Sequence, residues 1–378
     1  MSQYSQRYWQ YSLVITFSVT LLLLGCSASP ITGDQVAIQA AEPEQEDFSN
    51  ESVLEEDGMS AADPFEGIYS SFTDEMTRAD GGLSAEQGGS DAPPPLEFLS
   101  EIFGGSDALT SDIPTWLIGE QFMRLLEPIA FSIHNDGLYI LDSGRQALFR
   151  YVFEENKIIT VLDLSQYLRG NPAGLVFNDE GYYFISDPQR NRVLKFNSEN
   201  ILVAVYEDTA NLASPGKLYF DNERGKLYIS DGVYSRILVA SKYGEFLYAL
   251  GGRGTEPGQF VSITDFSYSK SEIYITDVIA KKPVQVLNNE GDFLRAYSSQ
   301  SLSIPAAIAI DEQGYVYVAD HQDDTIRVFV EGELRWKIGG SGTQPGHFRK
   351  VTQMMVSDGK LYVLDSLNRR IQVFKINS

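Results

Sequence analysis

The sequence predicts an all-β chain: a six-bladed β-propeller of four-stranded antiparallel blades, preceded by a signal peptide and a disordered acidic linker. Two observations carry the propeller. An apolar strand ending in aspartate recurs six times, as LYILD, YFISD, LYISD, IYITD, VYVAD and LYVLD. Its aspartates, Asp142, Asp187, Asp231, Asp277, Asp320 and Asp365, lie 45, 44, 46, 43 and 45 residues apart, which is propeller spacing. The linker rests on a third observation, the uneven charge. Residues 26–112 hold 20 acidic residues against one basic, Arg78, whereas residues 113–378 hold 32 against 27.

Residues 1–25 read as a lipoprotein signal peptide. Leu13 to Leu24 is an unbroken run of apolar or small residues, LVITFSVTLLLL. Twelve helical residues reach roughly 18 Å, too short for a ~30 Å hydrocarbon core, so the run fits a signal h-region better than a membrane span. LLGCS resembles a bacterial lipobox through Leu23, Gly25 and Cys26. The resemblance implies cleavage after Gly25, with S-diacylglycerol and N-acyl chains on Cys26. Two lipid signals give stable anchoring where one is marginal. Ser27 in place of Asp after the cysteine implies the outer membrane of a Gram-negative bacterium.

Residues 26–112 read as a tether. Blocks such as EPEQED and ESVLEED, the Gly81-Gly82 and Gly88-Gly89 pairs and the Pro93–Pro95 run leave too little apolar surface to offset ordering entropy. Leu96 to Phe103 has the spacing of a short amphipathic helix, but nothing in the sequence obliges it to form one.

Residues 113–378 read as the propeller. Strands alternate with turns at Asp136-Gly137, Glu180-Gly181, Arg224-Gly225 and Asp358-Gly359, and period-2 apolar patterning with Tyr, Val and Ile enrichment marks antiparallel sheet. The sixth repeat ends at FKINS without a fourth strand, and an open ring leaves sheet edges unpaired. Pro114–Ile118, around Trp116, is similar to the fourth strand around Trp336, so it is the expected closing strand. GGRGTEPGQF (251–260), GGSGTQPGHF (339–348) and LYVLDSLNRRIQVF (361–374) then resemble the NHL-repeat six-bladed propellers. The glycine-rich segments lead into strands rather than helices, which makes them blade linkers and not phosphate loops.

One cysteine excludes a disulfide framework and multi-thiolate metal clusters, and the acidity excludes a nucleic-acid binder. Five residues after the six aspartates stand Ala147, Arg192, Arg236, Lys282, Thr325 and Arg370, so four aspartates are expected to pair with a cation across the loop. His134, His321 and His347 occupy unlike positions in their repeats. Inner-strand starts carry Ile129, Ala173, Gly216, Ser262, Ala306 and Thr352, which supply no zinc triad of the kind held by peptide-amidating lyases. The gluconolactonase-like propellers bind a divalent cation at the channel mouth. Glu127 resembles one of their ligands and Asn171 is a possible second, but Ala306 stands where a late Asp is needed. No cofactor or metal is therefore expected.

Two function classes compete on this fold. The favoured one is a lipid-anchored, non-catalytic binding scaffold, a monomeric propeller for an envelope protein or anionic polysaccharide. The other is a propeller enzyme, lactonase-, hydrolase- or lyase-like, with a channel-mouth cation. For the scaffold, the loops between second and third strands and the blade linkers gather Arg145, Arg190, Tyr234, Arg253, Lys281, Lys282, His321, Arg349, Lys350 and Arg369 on one face. The anchor has a direct test. Cys26→Ala leaves the precursor uncleaved and unlabelled by radioactive palmitate; a variant that still matures as a lipidated membrane protein sinks the lipoprotein reading.

Overall fold

The computed structural model describes residues 85–87, 94–107, 122–135, 137–297 and 301–377, all within the unit Ser70–Ser378. The signal peptide, Cys26 and Trp116 lie outside them. Blade 1 consists of β5 (Pro128–His134), β6 (Gly137–Asp142), β7 (Ala147–Val152) and β8 (Lys157–Asp163). Blade 2 is β9 (Leu175–Phe177), β10 (Tyr183–Asp187), β11 (Arg192–Phe196) and β12 (Leu202–Glu207). Blade 3 is β13 (Pro215–Asp221), β14 (Lys226–Asp231), β15 (Arg236–Ser241) and β16 (Phe246–Gly251). Blade 4 is β17 (Ile263–Ser269), β18 (Glu272–Asp277), β19 (Val284–Asn288) and β20 (Phe293–Tyr297). Blade 5 is β21 (Pro305–Ile310), β22 (Val316–Asp320), β23 (Thr325–Val330) and β24 (Glu333–Gly339). Blade 6 begins with β25 (Val351–Ser357), β26 (Lys360–Asp365) and β27 (Arg370–Ile376).

Each blade is antiparallel, and the first strands of successive blades touch in a closed ring, β25 meeting β5. The second strands are the most apolar and the most buried; every residue of β10 and β22 is buried. Between each pair of neighbouring blades lies one hydrophobic cluster. Two facing sheets pack through such interdigitated side chains, so removing a blade would strip apolar cover from both its neighbours. Among the described residues no helix is long and apolar enough to cross a membrane.

The closing strand differs from the expectation. The fourth strand of blade 6 is β2 (Leu96–Ile102), antiparallel to β27 with Leu96 opposite Ile376 and Ile102 opposite Ile371. Pro114–Ile118 lies outside the described residues, and the edge it was expected to fill is taken. Residues 96–102 are thus neither tether nor helix. LEFLSEI satisfies a strand because a bulge between Phe98 and Ser100 exposes Leu99 while Leu96 and Ile102 turn inward. The propeller therefore begins before residue 113. Three shorter strands flank β2. β1 (Ala85–Gln87) pairs antiparallel with β24 in blade 5. β3 (Gly104–Asp107) pairs parallel with β8 in blade 1, and β4 (Phe122–Arg124) pairs with β3. The N-terminal segment is thus bonded to three consecutive blades.

Ile102 is buried between blades 6 and 1. Ile102→Ala is expected to lower unfolding stability by about 2–4 kcal/mol, and Leu99→Ala, at an exposed site, by less than about 0.5 kcal/mol. Equal losses in urea unfolding would show that this strand does not seal the ring.

Candidate functional site

The repeat aspartates are buried, and they are not a ring of metal ligands. Asp277 accepts four backbone N–H groups. Val261 (2.6 Å) and Ser262 (3.0 Å) belong to the incoming linker, and Ile279 (3.1 Å) and Ala280 (3.2 Å) to the following loop. Asp142 does the same with Leu126, Glu127 and Arg145, and Asp320 with Ser303, Ile304 and Gln322. Asp365 accepts from Arg349 N–H, and Asp231 more loosely from Ala213 and Tyr234. Amide donors stabilise a carboxylate that burial would otherwise penalise. Burial nevertheless pushes the Asp231 carboxyl up.

The expected ion pairs form in part. Arg192, Arg236 and Arg370 reach Asp187, Asp231 and Asp365 at 2.9, 3.6 and 2.9 Å. Lys282 instead lies over the Phe293 ring at 4.7 Å, and Asp320 is paired with Arg327 at 2.9 Å, two residues beyond the expected position. The loop in blade 4, VIAKK, is one residue longer than the others, so Pro283 and not Lys282 stands opposite Asp277.

These bonds assemble one continuous face. Loops of one blade are also laced to the next: Asn191 accepts from Ser214 N–H, Ser235 donates to Val261 carbonyl, and Asp324 accepts from Lys350 N–H. Of the ten residues predicted there, Arg145, Tyr234, Arg253, Lys281, Arg349, Lys350 and Arg369 are exposed. The other three are committed to the scaffold, and so in part is Arg145, whose Nε donates to the Arg124 carbonyl at 2.9 Å. Arg190 donates to the Tyr167 carbonyl at 2.7 Å, Lys282 covers Phe293, and His321 donates from Nε2 to the Val351 carbonyl at 2.7 Å. Sequence reasoning missed the apolar partners of these cations. Val233, Ile279 and Leu367 are 50, 67 and 59 % exposed. Each stands two residues after a repeat aspartate, and that shared position was the signal.

The inner strands line the ring's centre, where they are edge strands with backbone groups that need partners. Side chains at equivalent positions supply them. Gln353 holds both N–H and carbonyl of Phe131 at 2.9 Å, joining blade 6 to blade 1. Asp265 accepts from Ile308 N–H of the next blade at 3.1 Å and from Phe266 N–H at 2.9 Å. Lys217 reaches from blade 3 to the Thr352 carbonyl of blade 6 at 2.8 Å. Protein surrounds both charges, so desolvation lowers the Lys217 ammonium and raises the Asp265 carboxyl to about 6, each opposed by the other's charge. These two residues were not foreseen; a charge inside an otherwise apolar first strand, in SPGKLYF and SITDFSY, was the available sign. By the same register Thr264, not Ser262, is the counterpart of Thr352.

Glu127 and Asn171 are both exposed; Glu127 offers its backbone N–H to Asp142 and its carbonyl to Ser143. His134 stacks on Phe177 at 5.0 Å, its imidazole lowered by burial. Among the described residues no three His, Cys, Asp or Glu side chains gather to hold a metal. One carboxylate beside one ammonium, as at Asp265 and Lys217, suits a divalent cation poorly.

Comparison with known proteins supports the architecture. A family model described as a 6-bladed beta-propeller, DUF5128, matches residues 206–325. The chain is similar to NHL repeat-containing protein 3 of Mus musculus, 29% identical over 177 residues, covering 41% of this chain and 50% of that protein. It thus spans about half the length of that curated relative. Among solved structures, a streptogramin B lyase superposes with a TM-score of 0.51 at 11% identity, covering 66% of this chain and 94% of the other. Virginiamycin B lyase from Staphylococcus aureus gives 0.51 at 9% identity with the same coverage. At such identities the likeness defines the class, a six-bladed propeller, and not the chemistry.

Asp265 makes a pH prediction. Its carboxyl titrates near 6 in the folded chain against an ordinary 3.8, so between these values the native state binds more protons than the unfolded state. This group's contribution is full below the lower value and is lost as pH rises through the upper one, a change of about 2–3 kcal/mol. Asp265→Asn removes it. The stability of the wild type relative to the variant, from urea unfolding, should therefore fall from about pH 4 to about pH 7. A constant difference would mean that Asp265 titrates like an exposed carboxyl.

Proposed function

We propose that this chain is a lipid-anchored cell-envelope protein whose propeller is a non-catalytic scaffold, docking an anionic protein or polysaccharide on its loop-bearing face. The observation that carries the reading is the composition of that face: Arg145, Arg253, Lys281, Arg349, Lys350 and Arg369 exposed among Val233, Ile279 and Leu367. Cations around exposed aliphatic residues supply both electrostatic steering and area to desolvate, the two ingredients of a protein-binding patch. Of the chain's −23, residues 113–378 carry only −5, 32 acidic residues against 27 basic, so the propeller region is close to balance and can hold a local cationic surface. Anchoring rests on Cys26 and the run before it, which lie outside the described residues, and on the sequence alone; the outer-membrane address rests on Ser27.

The test is photo-crosslinking in cells from Arg145, Lys281 and Arg369, against probes at Glu180 and Glu312 in the opposite turns. Capture is expected from the loop face and is expected to weaken as salt rises. Equal or greater capture from the turns would overturn the assignment.

A further inference from the structure

The outer rim of the ring is finished unequally. In blades 5 and 1 the fourth strand already carries a further strand, β1 on Trp336–Ile338 of β24 and β3 on Lys157–Ile158 of β8. In blade 2 the fourth strand, β12, is outermost among the described residues. Pairing with the third strand places Ala204–Tyr206 of β12 where β24 has Trp336–Ile338, because Arg192 and Thr325 both stand opposite a repeat aspartate. The backbone edge that accepts an added strand in blade 5 is thus open in blade 2. Both fourth strands carry a bulge just before this stretch, and in β24 it does not prevent addition.

The side chains of β12 fit the same use. Residues 201–206 read ILVAVY without a charge, and Ile201, Val203 and Val205 are 53, 47 and 37 % exposed. Of the other outermost fourth strands, β20 carries Arg295, paired with Glu272 at 2.6 Å, and β2 carries Glu97 and Glu101. β16 has no charge of its own, but Lys226 of β14 lies over its Tyr248 at 5.0 Å. Uncharged aliphatic edges invite pairing with another chain, and proteins ordinarily protect them. Exposed Glu199 and Glu207 flank the stretch.

We infer that β12 is a strand-addition site for a partner's extended segment with aliphatic residues at alternate positions between basic ones. Main-chain bonds to the open edge give affinity, the aliphatic side chains cover Val203 and Val205, and the basic ends meet Glu199 and Glu207. A second copy of this chain is the poorer occupant, since antiparallel self-pairing about Val203 sets Glu199 against Glu207.

The probe is a fluorescein-labelled peptide, Lys-Val-Thr-Val-Thr-Val-Lys, titrated into the full chain. Saturable anisotropy is expected, with hydrogen exchange slowed at residues 202–207. Val205→Lys, or Val203→Lys as a second variant at the bulge, weakens binding about tenfold or more, while Leu247→Lys on β16 leaves it unchanged. A peptide N-methylated at alternate residues does not bind. No saturable binding, protection at another edge, or binding that survives both lysine variants overturns the inference. So does a wild-type dimer in sedimentation equilibrium that either variant dissolves, which would assign the edge to a second copy.

Discussion

A carboxylate is stable in a protein interior only when enough donors surround it, and five of the six repeat aspartates meet that condition in a common way. In five blades the carboxylate at the end of the second strand accepts a backbone N–H from the linker that leads into the same blade. In most it also accepts from the loop that follows. Each buried amide left unpaired would cost about 1–3 kcal/mol, so the aspartate and its linker enforce one another. The accompanying cation is secondary: an arginine at one of two positions in four blades, and in blade 4 a lysine turned onto an aromatic ring. Blade 2 is the exception, where Arg192 and Arg190 hold Asp187.

Locking each linker has consequences for the ring as a whole. It sets where each first strand starts, and so brings equivalent positions of neighbouring first strands together at the centre. There Gln353 and Asp265 satisfy backbone groups of the next blade, and Lys217 crosses to blade 6. The last join is made differently. β2 comes from far upstream in sequence, pairs with β27 and carries the N-terminal segment across to blade 1, so the first and last blades share strands from both ends of the domain. The glycine-rich linkers show the same economy of space: at Gly251 and Gly339, with φ of +74° and +87°, an added Cβ would lie 2.5 Å from Phe260 and Phe348.

The same bonding sorts the loop face into two populations. Arg190, Lys282 and His321, and Arg145 through its Nε, are spent on carbonyls or an aromatic ring and brace the scaffold. The remaining cations, with Val233, Ile279 and Leu367, project from loops whose backbones the aspartates already hold. A rigid frame with chemically mixed, exposed tips is the arrangement from which binding surfaces are made. The bonds that define the ring lie beneath those tips.

The six-fold period, the strand patterning and the turn residues were legible because propeller blades are local: each is a run of hairpins whose alternation and turns stand in order along the chain. The loop positions of Arg145, Lys281 and Arg369 followed from that same order. Four decisions belonged to the tertiary structure. LEFLSEI has spacing compatible with a helix and flanks compatible with a tether, and only the unpaired edge of β27 made it a strand. Lys282 misses Asp277 and Arg327, given no role by the spacing, reaches Asp320, because loop shape, not spacing, determines which cation reaches a buried carboxylate. Lys217 and Asp265 acquire their altered titration from blades far apart in sequence. Val205 and Lys337 occupy equivalent edge positions, yet among the described residues only the second is met by another strand. In each case the deciding partner is distant along the chain, and local sequence carries no record of which surface a folded ring brings near.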